Sequence, residues 1–270
     1  MSAAPSRAGP AVPDPFRVAG LRVIVTGGGT GIGASIAREF AARGARVLIA
    51  SRSAEHLEPV AAAIRADGGT VEHAVCDVRD QAQVDAMVAR AYDAFGGLDV
   101  LINNHGASFF QPAERITPNG FATIVAINLN GTFLCARAAA LRWIERKSGG
   151  RIINMSSDAG VYGAPGMSHY GAAKAGVVNL TRTLAMEWAR HGILVNCIAP
   201  GPIDTPEAGA RTWPTPDVRA RVEASTALRR LGTVEEIAWP CLFFASAASA
   251  FVTGQTLSID GGPTSGLFVQ

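Results

Sequence analysis

Leu21-Arg22-Val23-Ile24-Val25-Thr26-Gly27-Gly28-Gly29-Thr30-Gly31-Ile32-Gly33 is the stretch that sets the fold class. A β-branched run, a knot of glycines, and then Ile32, Ile36 and Phe40 spaced by four describe a buried strand, a tight turn and an amphipathic helix. Glycines alone say little. Between a strand and a helix they let the backbone approach a bound group closely. The helix N-terminus then favours negative charge, so a pyrophosphate is the expected occupant.

The same alternation repeats outward from this unit. Strands are expected at 21–25, 46–50, 71–75, 98–102, 151–155, 193–198 and 256–259. Most are apolar without period-2 polarity, as strands covered on both faces should be. Helices are expected at 31–43, 54–66, 80–95, 119–147, 168–190 and 233–246. The last opens on a Thr233-x-x-Glu236 capping box and carries Pro240, which should kink or loosen it. Strict alternation predicts right-handed crossovers and an α/β fold: a single doubly wound (Rossmann) domain over 20–270, with a seven-stranded parallel sheet and helices on both faces. Residues 1–19, rich in Ala, Pro and Ser, read as a disordered arm rather than a secretory signal. The segment 202–231 is off the rhythm, polar and proline-rich, and follows a strand. It reads as a lid over the substrate site.

Composition narrows the function classes. With 48% hydrophobic and 17% charged residues, the chain should bury a substantial core. A net charge of +2 without a basic stripe argues against nucleic acid as a partner. Cys76, Cys135, Cys197 and Cys241 match no zinc spacing, and no metal site is expected. Their apolar surroundings suit buried thiols in a reducing, cytoplasmic setting. The run 237–252 is too short to span a membrane, and no membrane partner is expected.

The end of the second strand bears on the cofactor. A nicotinamide cofactor lacking the 2′-phosphate is usually held there by a carboxylate, whereas this chain has Ser51 and Arg52. Arginine can pair with a 2′-phosphate, so NADP(H) is preferred, with NAD(H) possible.

Several motifs in order resemble the short-chain dehydrogenase/reductase family over about residues 20–262. Thr26-x-x-x-x-Gly31-x-Gly33 resembles its cofactor loop, and Asp77-Val78 its adenine contact. Asn103-Asn104-His105-Gly106 resembles its Asn-Asn-Ala-Gly motif, with His105 in place of alanine. Asn128, Ser157 and Tyr170-x-x-x-Lys174 fall at its catalytic tetrad, and Pro200-Gly201-Pro202-Ile203-Asp204-Thr205 resembles the segment around the nicotinamide. Asp260-Gly261-Gly262 resembles its closing motif. The resemblance implies cofactor contacts from Gly27, Gly29, Thr30, Gly31, Ile32, Gly33, Ser51, Arg52, Asp77, Val78, Asn104, Gly106, Tyr170, Lys174, Pro200, Gly201, Ile203 and Thr205. It further implies a homotetramer built partly from the 119–147 and 168–190 helices. One departure concerns Thr30, which stands where NADP(H)-preferring members often carry a basic residue, so Arg52 would hold the 2′-phosphate largely alone.

The chemistry suits those residue types. Hydride transfer to a carbonyl creates an alkoxide that needs a proton, and tyrosine is a poor base until a neighbouring cation favours its phenolate. Tyr170 and Lys174, four apart on a helix, share a face. At an effective dielectric near 20, charges about 4 Å apart interact by about 4 kcal/mol, or roughly three pK units. Ser157 would orient the substrate oxygen. By resemblance, Lys174 also holds the nicotinamide ribose and Asn128 anchors a water. Ser156 is expected to be structural. His105, Tyr162 and Trp213 are candidates for substrate contact, and His169 flanks the same pocket. Phe109, Phe110, Val161 and Met167 complete walls suited to an apolar or ring-bearing substrate.

The expected reaction is interconversion of an alcohol and a ketone or aldehyde. Segments such as 27–31, 49–52, 111–119 and 230–236 resemble the 2,4-dienoyl-CoA reductase branch, so reduction of a conjugated C=C bond is the alternative. Mitochondrial-type members of that branch lack the tyrosine of Tyr-x-x-x-Lys and take one from an upstream position occupied here by Ala159. A dienoyl-CoA would need a path for its phosphates, which Arg211, Arg219 and Arg221 of the lid could supply. A non-catalytic NADP(H)-binding protein is the remote alternative, because such proteins would be expected to have lost part of the tetrad.

Overall fold

The computed structural model describes residues 14–205, 209 and 212–262. Its elements are β1 (Arg22–Thr26), α1 (Gly31–Ala42), β2 (Arg46–Ser51), α2 (Ala54–Ala66), β3 (Thr70–Val75), α3 (Gln81–Phe95), β4 (Val100–Asn103), α4 (Pro118–Val125), a π turn (Ala126–Asn130), α5 (Gly131–Arg146), β5 (Gly150–Met155), α6 (Asp158–Tyr162), α7 (Ser168–Trp188), β6 (Ile193–Pro200), α8 (Pro216–Ala224), α9 (Val234–Ala245) and β7 (Thr256–Ile259). The seven strands make one parallel sheet in the order β3-β2-β1-β4-β5-β6-β7.

Successive strand residues feed opposite layers. Val23, Val25, Val47 and Ile49 pack with Ile36, Phe40 and Ile237 on one face. Ile24, Leu48 and Leu101 pack with Met87, Trp143 and Leu184 on the other. Each such side chain contributes about 1.5–3 kcal/mol relative to exposure. Burial on both faces therefore accounts for strands that read as unbroken apolar runs. The direction in which successive strands are added reverses between β1 and β4, two parallel neighbours whose C-terminal ends lie side by side with Thr26 opposite Asn103. In doubly wound sheets that crevice is where ligands bind.

Three local expectations are modified. Residues 1–13, most of the expected arm, lie outside the described residues, but Pro15 to Ala19 are packed on the domain. The Pro15 carbonyl accepts from Ala248 N–H, Phe16 meets Phe243, and Val18 is buried in the core. The 119–147 helix is divided by the π turn, where Gly131 N–H bonds to the Ala126 carbonyl five residues back. Helix α9 runs on through Pro240, held by buried Ile237, Ala238, Cys241 and Leu242. The stretch Pro118–Arg146 is long and apolar enough to cross a membrane, yet half of its apolar window is buried within this domain, as in a core helix.

Candidate active site

The glycine turn is shaped by contacts from three strands. Gly27 and Gly28 N–H both bond to the Ala50 carbonyl of β2, and Asn104 Nδ2 reaches the carbonyls of Thr26 and Gly27 at 3.2 Å. Gly27 adopts φ +65°. A Cβ on Gly33 would lie 2.1 Å from the Gly27 carbonyl oxygen, and one on Gly28 only 2.8 Å from Ile49. These positions cannot carry side chains without moving backbone. Thr30, the N-cap of α1, caps none of the first-turn N–H groups, and that turn holds no acidic residue. The helix start is thus open to an anion, as a dinucleotide pyrophosphate requires.

The rest of the predicted cradle is distributed around this turn. Arg52 is exposed at the end of β2, while the Ser51 hydroxyl donates to the Ser53 carbonyl. The Asp77 carboxylate is bound by Arg79, which holds it down at about 2. Val78 is buried against Gly131. Ile32 packs at the edge of the core and Gly31 adopts φ +48°. On the far side, Gly201 sits so close to Asp260 that a Cβ would meet its Cα at 2.6 Å, Pro200 ends β6, and Ile203 is buried and bridged to Gly232. Thr205 lies at the margin of the described residues.

The four residues expected to form a tetrad lie near the C-terminal ends of β4 and β5. Asn128 is fully buried in the π turn, its Nδ2 donating to the carbonyls of Ala107 and Ile124. A Cβ on Gly106 would touch Asn128 Oδ1 at 2.9 Å and Lys174 Nζ at 3.6 Å, so glycine leaves room for both. Ser157 caps α6, and Tyr170 hydrogen-bonds with it. Lys174 Nζ lies 5.6 Å from the Tyr170 ring centroid and donates to the Met155 carbonyl at 2.7 Å. Ser156 is structural: its hydroxyl donates to the Lys174 carbonyl.

Burial governs the electrostatics. It pushes the Tyr170 phenol up to about 12, against a lowering from Ser157, and draws the Lys174 ammonium down to about 8. The expected lowering of the phenol by Lys174 is not seen: burial and the Asp158 charge raise the phenol, and the ammonium is turned to the Met155 carbonyl.

The substrate candidates separate. His105 is buried with its ring held between Thr26 and Thr132, so it presents no free polar group to a pocket. Tyr162 is exposed at the mouth, and its hydroxyl reaches Asp260 at 3.4 Å. Trp213 is buried within the lid segment. Phe109, Phe110 and Val161 are exposed apolar groups, and Phe109 lies against His169 at a tilt of 57°; the His169 ring nitrogens are buried without hydrogen-bond partners among the described residues. The 202–231 segment, expected to be a lid, is tied to the domain at both ends. At one end Asp204 N–H bonds to the Gly232 carbonyl, at the other Ala227 and Leu228 N–H bond to the carbonyls of Gly262 and Gly261, and within the segment Arg219 of α8 pairs with Asp204. Arg211 lies outside the described residues, and Arg221 lies on α8.

Asp158 is a site residue that the sequence reading passed over. Its carboxylate accepts the Ser157 hydroxyl at 2.7 Å and Ala159 N–H, and its charge raises the Tyr170 phenol. Adjacency to Ser157 was the available signal.

Comparison with known proteins follows the same lines. A family profile described as "Enoyl-(Acyl carrier protein) reductase" matches residues 27–264. The chain is 42% identical to the "Probable 2,4-dienoyl-CoA reductase [(2E)-enoyl-CoA-producing]" of Bacillus subtilis, covering 89% of this chain and 95% of that one. It is 38% identical to "3beta-hydroxysteroid dehydrogenase 1" of Eggerthella lenta over 91% and 94% of the two chains. Among solved structures, a short-chain type dehydrogenase/reductase from Mycobacterium marinum superposes with a TM-score of 0.87 at 37% identity, covering 93% of this chain and 98% of that one.

Proposed function

Because the chain belongs to the short-chain dehydrogenase/reductase family of oxidoreductases, we propose that it is an NADP(H)-dependent enzyme interconverting an alcohol and a ketone or aldehyde on an apolar or ring-bearing small molecule. The observation that carries this reading is the proximity of Tyr170 to both Ser157 and Lys174, with Ala159 at the position that resembles the upstream tyrosine of mitochondrial-type 2,4-dienoyl-CoA reductases.

The bound nicotinamide would accept or supply the hydride. The glycine turn would hold the pyrophosphate, Arg52 the 2′-phosphate, and the 200–205 segment the nicotinamide end. Ser157 would turn its hydroxyl from Asp158 to the substrate oxygen, leaving Tyr170 to give that oxygen a proton in reduction or take one in oxidation. Lys174 would move from Met155 toward the cofactor ribose and Tyr170. Its low-dielectric surroundings would then strengthen its pull on the phenol. Phe109, Phe110, Val161 and Tyr162 offer the substrate an apolar rim. We place the enzyme in the cytoplasm, as a homotetramer joined partly through α5 and α7. The exposed Phe133 and the adjoining Leu129, Leu134 and Leu180 line a cleft of about 700 Å³ between these helices.

The second reading, NADPH-dependent reduction of a conjugated C=C bond in a dienoyl thioester, is favoured by the 42% identity to the Bacillus subtilis protein. The test is NADPH oxidation at 340 nm against bulky ketones and aldehydes beside a 2,4-dienoyl-CoA, repeated with Tyr170→Phe. Carbonyl turnover that falls by about 10²- to 10⁴-fold in the variant supports the first reading. Dienoyl-CoA turnover that survives the substitution moves the protein to the second.

A further inference from the structure

His105 stands between the two halves of the site, and every polar atom of its ring faces a defined partner. Thr26 Oγ1 accepts from the backbone N–H groups of Asn104 and His105 at 3.1 and 3.3 Å, which engages both its lone pairs. Its proton is left for either the Ile102 carbonyl at 3.2 Å or His105 Nδ1 at 2.7 Å, and the shorter contact prevails. Nδ1 therefore accepts, and Nε2 carries the ring proton.

On the Nε2 side lies the π turn. Gly131 N–H bonds to Ala126, so the Ile127 carbonyl is released from the partner an α-helix would give it. That carbonyl acts on the imidazole as an acceptor and raises its basicity, and Thr132 Oγ1, which donates to the Asn128 carbonyl, stands 3.5 Å from Nε2. Gly131 is fitted to the ring, because a Cβ there would lie 3.1 Å from Nε2. Lys174 and Asp77 are the charged groups nearest the ring, and burial keeps the imidazole neutral, down at about 3.

We propose that His105 is a positioning residue, a neutral Nε2–H imidazole that fastens the glycine turn to the π turn and thereby sets the place of Asn128. The role in turnover rests on the function proposed above, whereas the tautomer and the effect on cofactor binding do not.

The first test is ¹⁵N-histidine NMR of the full chain, with the His105→Ala spectrum assigning the ring. The expected result is an Nε2–H tautomer whose shifts stay constant from pH 5 to 9. An Nδ1–H tautomer, or titration inside that range, overturns the proposal, and this test needs no variant to be active. In the second test, His105→Ala should weaken NADPH binding, read by nicotinamide fluorescence, by about fivefold or more. It should also lower kcat at least tenfold and move the pH limb of kcat. His105→Gln, which can reach Ile127 but not Thr26 as well, should restore the pH limb and kcat without restoring NADPH affinity. A folded His105→Ala protein with NADPH affinity, kcat and pH limb all within twofold of the parent overturns the proposal. A parent enzyme inactive on every carbonyl sinks the proposed function instead, and the NMR and NADPH titrations still decide this one.

Discussion

Lys174 gives its Nζ to the Met155 carbonyl at 2.7 Å while standing 5.6 Å from the Tyr170 ring. The group expected to charge the reaction centre is a buried cation held by one backbone oxygen.

That burial costs stability. The folded chain holds the Lys174 proton with a pKa of about 8 against 10.5 in the unfolded chain, so folding is penalised fully below pH 8. The penalty fades as pH rises from 8 toward 10.5. Lys174→Met should therefore raise Tm at pH 7 by about 3–8 °C, after allowing for the lost Met155 hydrogen bond. The gain should shrink by pH 10, and activity should be abolished. Differential scanning calorimetry at the two pH values checks this, and a lower Tm at pH 7 would contradict it.

Asp158 should set the pH dependence of oxidation. Its charge raises the Tyr170 phenol, so Asp158→Asn should move the rising limb of alcohol oxidation to lower pH by about half to one unit. Ser157 also loses its carboxylate partner, which frees its hydroxyl for substrate. Initial rates from pH 6 to 11 measure the limb, and an unmoved or alkaline-shifted limb counts against the assignment.

Gly33→Ala places a methyl 2.1 Å from the Gly27 carbonyl in a turn already pinned to Ala50 and Asn104. The turn must open, and NADPH affinity should drop at least 100-fold while the circular dichroism spectrum stays near that of the parent. Calorimetric titration with NADPH gives the answer.

Arg52 is exposed and makes no side-chain hydrogen bond or ion pair among the described residues beyond a through-space attraction to Asp77, so its removal should leave stability unchanged within about 0.5 kcal/mol. Arg52→Ala should cut kcat/KM for NADPH by about 10- to 100-fold and leave NADH nearly unaffected. Equal losses with both cofactors would mean that the arginine does not read the 2′-phosphate.

Strand and helix order, the two-faced parallel sheet, the glycine cradle and the Ser157, Tyr170 and Lys174 positions were all determined by the sequence itself. They rest on hydrophobic period, turn chemistry and short fixed spacings, which act between near neighbours. What the tertiary structure decided depends on atoms brought together from distant segments. The π turn that buries Asn128 reads in sequence as ordinary helix, because its carbonyls are satisfied by groups outside it. His105 looks like a pocket residue until Thr26, 79 positions away, takes its ring nitrogen. Lys174 looks poised on Tyr170 until the Met155 carbonyl of β5 claims its ammonium. Local periodicity specifies which element a residue belongs to. The partner of a buried polar group is chosen by desolvation, which acts only once the elements have packed.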